Sequence, residues 1–102
     1  MMKTITNTET IYRDDSGIIK CIVHKDAFMQ LDDVIENIDT VRALAPKLPA
    51  PVFVDIRMSK GATRDARAFL ANDQIAEVQS ACALLVESAL SQLIGNFFSG
   101  AQ

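Results

Sequence analysis

The sequence predicts an α/β domain, and three observations carry that prediction. Residues 51–57, Pro51-Val52-Phe53-Val54-Asp55-Ile56-Arg57, form an apolar run of strand length. A polar loop and a helix opened by Thr63 follow it. Then come the apolar run 81–86 and an amphipathic stretch that ends in Phe97-Phe98. Strand, helix, strand, helix is the order that builds a parallel layer, and such layers gather their sites at the carboxyl ends of the strands.

The elements follow in chain order. Residues 4–12 are rich in Thr and Ile and mostly polar, which predicts an edge strand. Asp14-Asp15-Ser16-Gly17 is a turn signal. Residues 18–23 are apolar apart from Lys20 and form a second strand, so the two strands make an antiparallel hairpin. Leu31, Val34, Ile35, Ile38, Val41, Leu44 and Ala45 recur at three- and four-residue spacings, the single apolar stripe of a helix over 31–45. Asp32, Asp33 and Glu36 sit near its start, where carboxylates favour the helix dipole. Its cap is either Asp26 or a residue near Gln30, and Pro46 stops it. Leu48-Pro49-Ala50-Pro51 is a stiff connector into a strand over 52–56.

Beyond that strand, residues 58–62 form a loop carrying Gly61. Thr63 is the expected N-cap of the next helix, with Asp65 in its first turn and Ala66, Phe69 and Leu70 on its apolar stripe. Asn72-Asp73 ends it. Residues 74–98 admit two readings. Ile75, Val78, Cys82, Leu85, Ala89, Leu93 and Phe97 fit one long helix. The all-apolar run 81–86 followed by Glu87-Ser88 fits a central strand leading into a helix, although alanine favours the helical reading. On the second reading Leu90, Leu93, Ile94, Phe97 and Phe98 face the core, and Gly95 costs about 1 kcal/mol relative to alanine.

Composition narrows the function. The chain has 102 residues, one domain's worth over 1–102, and 49% of them are hydrophobic. Thirteen acidic against ten basic residues give a formal net charge of −3. A slightly acidic balance argues against nucleic acid and against a polybasic membrane surface as partners. Cys21 and Cys82 both lie in apolar runs, where a reduced pair behaves as small hydrophobes and suits the cytoplasm; a disulfide between them is the alternative. Met1-Met2-Lys3 opens no signal peptide, and no segment is long and apolar enough for a membrane span. One histidine and two separated cysteines give no zinc-type spacing, so no metal and no cofactor is expected.

Three loops fall at predicted strand ends: His24-Lys25-Asp26, residues 55–63, and Glu87-Ser88. The middle loop is the richest. Arg57, Lys60, Arg64 and Arg67 gather around a helix start with Thr63, a combination able to hold a phosphate or carboxylate. The plainer reading is a solvated basic face with Arg67 tied to a carboxylate such as Asp55, and Thr63 serving only as a cap. Ser59 and Thr63 are hydroxyls able to accept phosphate. His24 with Asp26 or Asp55 supplies a base and an orienting acid for a hydrolase, but no nucleophile motif accompanies them. The acidic cluster Asp32, Asp33, Glu36 and Asp39 reads as a solvated helix face.

The segments 51–57, Thr63-Arg64-Asp65-Ala66-Arg67-Ala68-Phe69-Leu70, 81–86 and Leu93-Ile94-Gly95-Asn96-Phe97-Phe98 together resemble small bacterial proteins with a STAS-like (anti-sigma-factor-antagonist-like) fold. The resemblance implies a mixed sheet, with an N-terminal hairpin followed by parallel strands and helices packed on it. It also implies that 81–86 is a strand. It assigns no activity. The phosphorylation loop Asp-Ser-Ser-Gly of the anti-sigma-antagonist branch is replaced here by Arg57-Met58-Ser59-Lys60-Gly61-Ala62-Thr63, which speaks against a phospho-switch. Related chains continue past the Phe-Phe pair with a further strand and helix, so here either the domain is shortened or a partner chain covers an apolar face that includes Leu93, Phe97 and Phe98. The function expected on these grounds is a non-catalytic interaction module, homodimeric through the last helix or the first strand. The alternative is a binder of a small anionic or amphiphilic ligand near Arg57, Lys60, Thr63, Arg64 and Arg67.

Overall fold

Thr6, Asn7 and Thr8 turn the chain sharply, and this turn divides the single edge strand expected over 4–12 into two. The structure, a computed structural model, describes residues 3–85. In it β1 (Lys3–Ile5) pairs antiparallel with β2 (Glu9–Arg13). The Thr6 amide donates to the Glu9 carbonyl at 2.8 Å, and the Glu9 amide donates to the Thr6 hydroxyl at 3.0 Å. Threonine is at home in strands, so the two threonines disguised the turn, and Asn7 alone signalled it.

The second hairpin is the expected one. Strand β3 (Ile19–Val23) runs antiparallel to β2, with Ile11 opposite Cys21. Asp14 closes the turn between them, its carboxylate accepting from the amides of Ser16 at 2.9 Å and Ile18 at 3.0 Å. Gly17 at φ 87 takes the left-handed position there. After β3 the chain makes the short strand β4 (Phe28–Met29) and helix α1 (Leu31–Leu44). Gln30, not Asp26, is the helix cap: its backbone amide donates to the Asp33 carboxylate at 2.9 Å. Asp26 instead sits at φ 63 in the preceding turn.

Strand β5 (Ala50–Asp55) lies parallel to β3, and the two-residue β6 (Gly61–Ala62) pairs with β4. Thr63 caps α2 (Arg64–Leu70) as expected, its side chain accepting from the Ala66 amide at 3.2 Å. Where the sequence suggests only the end of that helix, Asn72 caps a further 3₁₀ turn over Asp73–Glu77. Its side chain accepts from the Gln74 amide at 2.9 Å, an Asx-type bond that a polar pair such as Asn72-Asp73 readily makes. Residues 79–85 are then extended as β7 (Gln79–Leu85), parallel to β5, with a register shift at Ala50 and Pro51. This excludes the long helix over 75–97. The expected strand end at Val86, the Glu87-Ser88 loop and the helix carrying Leu90, Leu93, Phe97 and Phe98 lie outside the described residues.

The five-stranded sheet has the order β1-β2-β3-β5-β7, antiparallel in its first half and parallel in its second. The crossovers from β3 to β5 and from β5 to β7 step in the same direction. Crossovers of one hand then place α1 and α2 on the same face, where they touch each other. Alternation along the strands points Ile11, Ile19, Cys21, Val23 and Val52 at that face, and Val34, Ile38 and Val41 of α1 meet them. Among the described residues no helix covers the opposite face. Its side chains are half-buried: Lys20 stacks its ammonium 5.0 Å from the Phe53 ring centre, and Thr10 bonds the His24 ring at 2.9 Å.

A buried polar bracket fastens the first hairpin to α1. Asn37 is buried among the apolar residues of the helix face. Its amide donates to the Thr8 hydroxyl at 3.0 Å, and its carbonyl accepts from the Thr6 hydroxyl at 2.6 Å. Two exposed bonds extend the bracket, from Asn7 to Glu36 and to Asp33. An Asn37→Ala variant takes from the Thr8 hydroxyl its Asn37 donor, while Thr6 keeps its bonds to the Glu9 carbonyl and amide. A loss of about 1–3 kcal/mol is expected in urea unfolding, the cost of one orphaned buried group.

Candidate functional site

The strand-end crevice, where the sequence places the basic cluster, is closed by two loops bonded to each other. The Asp26 amide donates to the Met58 carbonyl, and the Lys60 amide to the Ala27 carbonyl, both at 2.8 Å. The Thr63 amide reaches the Met29 carbonyl at 2.9 Å, and the Ser59 hydroxyl the Ala27 carbonyl at 3.4 Å. Gly61, at φ 115, lets the second loop turn back along the first.

The basic side chains are largely committed to this local structure. Arg57 forks onto Asp55, with its Nε 3.1 Å from Oδ1 and one terminal nitrogen 2.8 Å from Oδ2. The hydrogen bond from Arg57 holds the Asp55 carboxyl below its usual value, against the opposing effect of burial. The expected carboxylate partner is therefore Asp55, but its cation is Arg57 and not Arg67. Arg67 donates to the Ala62 carbonyl at 2.6 Å. Thr63 is occupied as the helix cap. Lys60 and Arg64 are exposed. Ser59 accepts from the Gly61 amide at 2.9 Å. The His24 ring is bonded to Thr10, and the Asp55 carboxylate to Arg57.

A second feature lies under the helices. A cavity of about 520 Å³ sits between the sheet and the layer formed by α1, α2 and the 3₁₀ turn. Its walls are apolar, with Met29, Ile38, Val54, Ile56, Leu70 and Ile75 prominent. Exposed Asn72, Asp73 and Ala76 stand at its rim. Glu9 and Asn37 bring polar atoms to the wall, beside Cys21 and Cys82. Both thiols are free, so the disulfide alternative does not hold.

Glu9 was not singled out in the sequence, because residues 4–12 read as a polar edge. The signal that finds it is two-residue alternation: Glu9 shares a face with Ile11, and that face is the buried one. The Glu9 residue is 5% exposed. Burial pushes its carboxyl up to about 7, opposed by a hydrogen bond with the Cys21 thiol. Burial, followed by the charge of Glu9, pushes the Cys21 thiol well above its usual value. The thiol is therefore kept protonated, and it is not an activated nucleophile.

Among the described residues no group of three or more His, Cys, Asp or Glu side chains is placed to hold a metal ion, and no helix is long and apolar enough to cross a membrane. Fold and site together define a small mixed-sheet α/β domain with an apolar cavity and one buried acid in its wall. The chain belongs to the family described as a domain of unknown function (DUF7793), whose model matches residues 11–102. No curated protein and no solved structure matches it.

The raised Glu9 carboxyl has a definite sign in stability. The folded state holds its proton to about pH 7 and the unfolded chain only to 4.5. The stabilisation is complete below the lower value and is lost as pH rises through the upper one. From this group alone the wild type is expected to lose up to about 3 kcal/mol across that window. Urea unfolding between about pH 4 and about pH 8 should show a clearly flatter slope for Glu9→Gln than for the wild type.

Proposed function

We propose that this domain is a non-catalytic interaction module of STAS-like arrangement, acting in the cytoplasm as a homodimer. An N-terminal hairpin continued by parallel strands, with both helices on one face, supports the STAS-like reading. The observation that carries the interaction reading is the position of β7. Among the described residues it is the last strand of the sheet, seven residues long, and it contains no charge and no proline. Sheet edges are ordinarily short, charged or proline-bearing, because an open apolar edge templates pairing with another chain. The opposite edge, β1, is protected by its three-residue length and by Lys3, although Ile5 there is 70% exposed. A second chain adding its strand to β7 would pair that edge.

A second reading keeps the small anionic or amphiphilic ligand near Arg57–Arg67. Exposed Lys60 and Arg64 beside the Thr63 cap support it. The local engagement of Arg57, Thr63 and Arg67 leaves this cluster less to offer a ligand than the sequence suggests.

Light scattering at about 50 µM, a concentration at which ordinary homodimer affinities register, is expected to give twice the chain mass. An Ala83→Lys variant that keeps the wild-type circular dichroism should run as a monomer. A monomeric wild type overturns the homodimer, and a dimer that survives Ala83→Lys removes β7 as its seam.

A further inference from the structure

The cavity under the helices has a charge pattern unlike that of the basic loop. Among the described residues its lining includes two acids, Glu9 in the wall and Asp73 at the rim, and no Lys, Arg or His. Its volume of about 520 Å³ falls within the range of about 300–1,000 Å³ typical of small-molecule sites. Glu9 is buried, and the hydrogen-bonding neighbour assigned to its carboxyl is the weakly donating Cys21 thiol. Asn37 accepts from Thr6 and donates to Thr8 and, weakly, to the Met29 sulfur. A carboxylate accepts more hydrogen bonds than one thiol donates, so Glu9, which lines the cavity, retains acceptor capacity there.

We propose that this cavity is a binding site for a small amphiphilic amine, whose alkyl or aryl body fills the apolar space and whose ammonium group donates to the Glu9 carboxylate. The complementarity is specific. An ammonium offers donors and a charge, both of which ionised Glu9 can take. A carboxylate ligand of the same shape would meet a like charge or require Glu9 to stay protonated. An alcohol would donate one bond without charge. The cavity shares Gln79 and Cys82 with β7, but the group that holds the ammonium is Glu9 on β2, so the proposal does not rest on dimerisation.

Three probes of equal chain length separate these cases: octylamine, octanol and octanoate. Isothermal titration calorimetry on the full chain near neutral pH should show octylamine binding about tenfold or more tightly than octanoate, the ratio expected of one charge-assisted hydrogen bond. In Glu9→Gln the amine should weaken by about tenfold while octanol is little changed. A rim variant, Ala76→Trp, at an exposed position that folding tolerates, should weaken octylamine and octanol alike. The proposal is overturned if octylamine fails to bind the wild type, if octanoate binds as well as the amine, or if Glu9→Gln binds the amine unchanged. Amine binding that is indifferent to Ala76→Trp places the amine elsewhere and also overturns it.

Discussion

The hydrogen bonds that join Asn37 with Thr6 and Thr8 are the constraint on which the rest of the arrangement depends. Hydrophobic burial drives α1 onto the sheet, but burial has no direction and would accept several placements of the helix. The asparagine accepts one of them, because both of its polar ends must find a hydroxyl in the same turn. That placement fixes the angle at which the first hairpin meets α1. It also fixes Glu9, one residue past Thr8, on the helix side of the sheet instead of in solvent.

From that placement the layer builds outward. The two crossovers step the same way across the sheet, so α1 and α2 share a face and come into contact. Ala66, fully buried on α2, and Val78, at the end of the 3₁₀ turn, complete the core. Between these contacts the helical layer does not close, and the cavity is the gap. Its walls take their character from strand alternation: Glu9, Cys21 and Val54 lie on the helix-covered face of β2, β3 and β5, which is why a glutamate that keeps step with Ile11 ends up in apolar surroundings.

Much of this was legible in the residues. The α1 stripe, the Thr63 cap, the Asp14–Gly17 turn and the extended run before Arg57 are local signals, each with its own mechanism, and each appears where the sequence places it. The misses share a cause. The turn at Thr6–Thr8 is written in residues that favour strands, and β4 and β6 are too short to show periodicity. The choice between strand and helix over 79–85 depends on a partner, β5, that lies about thirty residues away in sequence. The partner of Asp55 is Arg57 where the sequence suggests Arg67, because the fork of Arg57 onto Asp55 requires the backbone to turn immediately after β5. Glu9 was overlooked because its neighbours are polar, and only the face it occupies makes it unusual.

The mutual stitching of residues 24–29 with residues 56–63 alters the customary doorway of an open parallel sheet. In such folds a visiting molecule descends between the strand tips. Here those tips are laced shut by backbone bonds that cost energy to undo. Among the described residues the gap beside Asn72, Asp73 and Ala76 is the other approach, reached sideways beneath the short helices. Entry would then pass a short 3₁₀ segment held by the Asn72 cap and a few local backbone bonds, and the laced loops would be left to serve as a rigid frame.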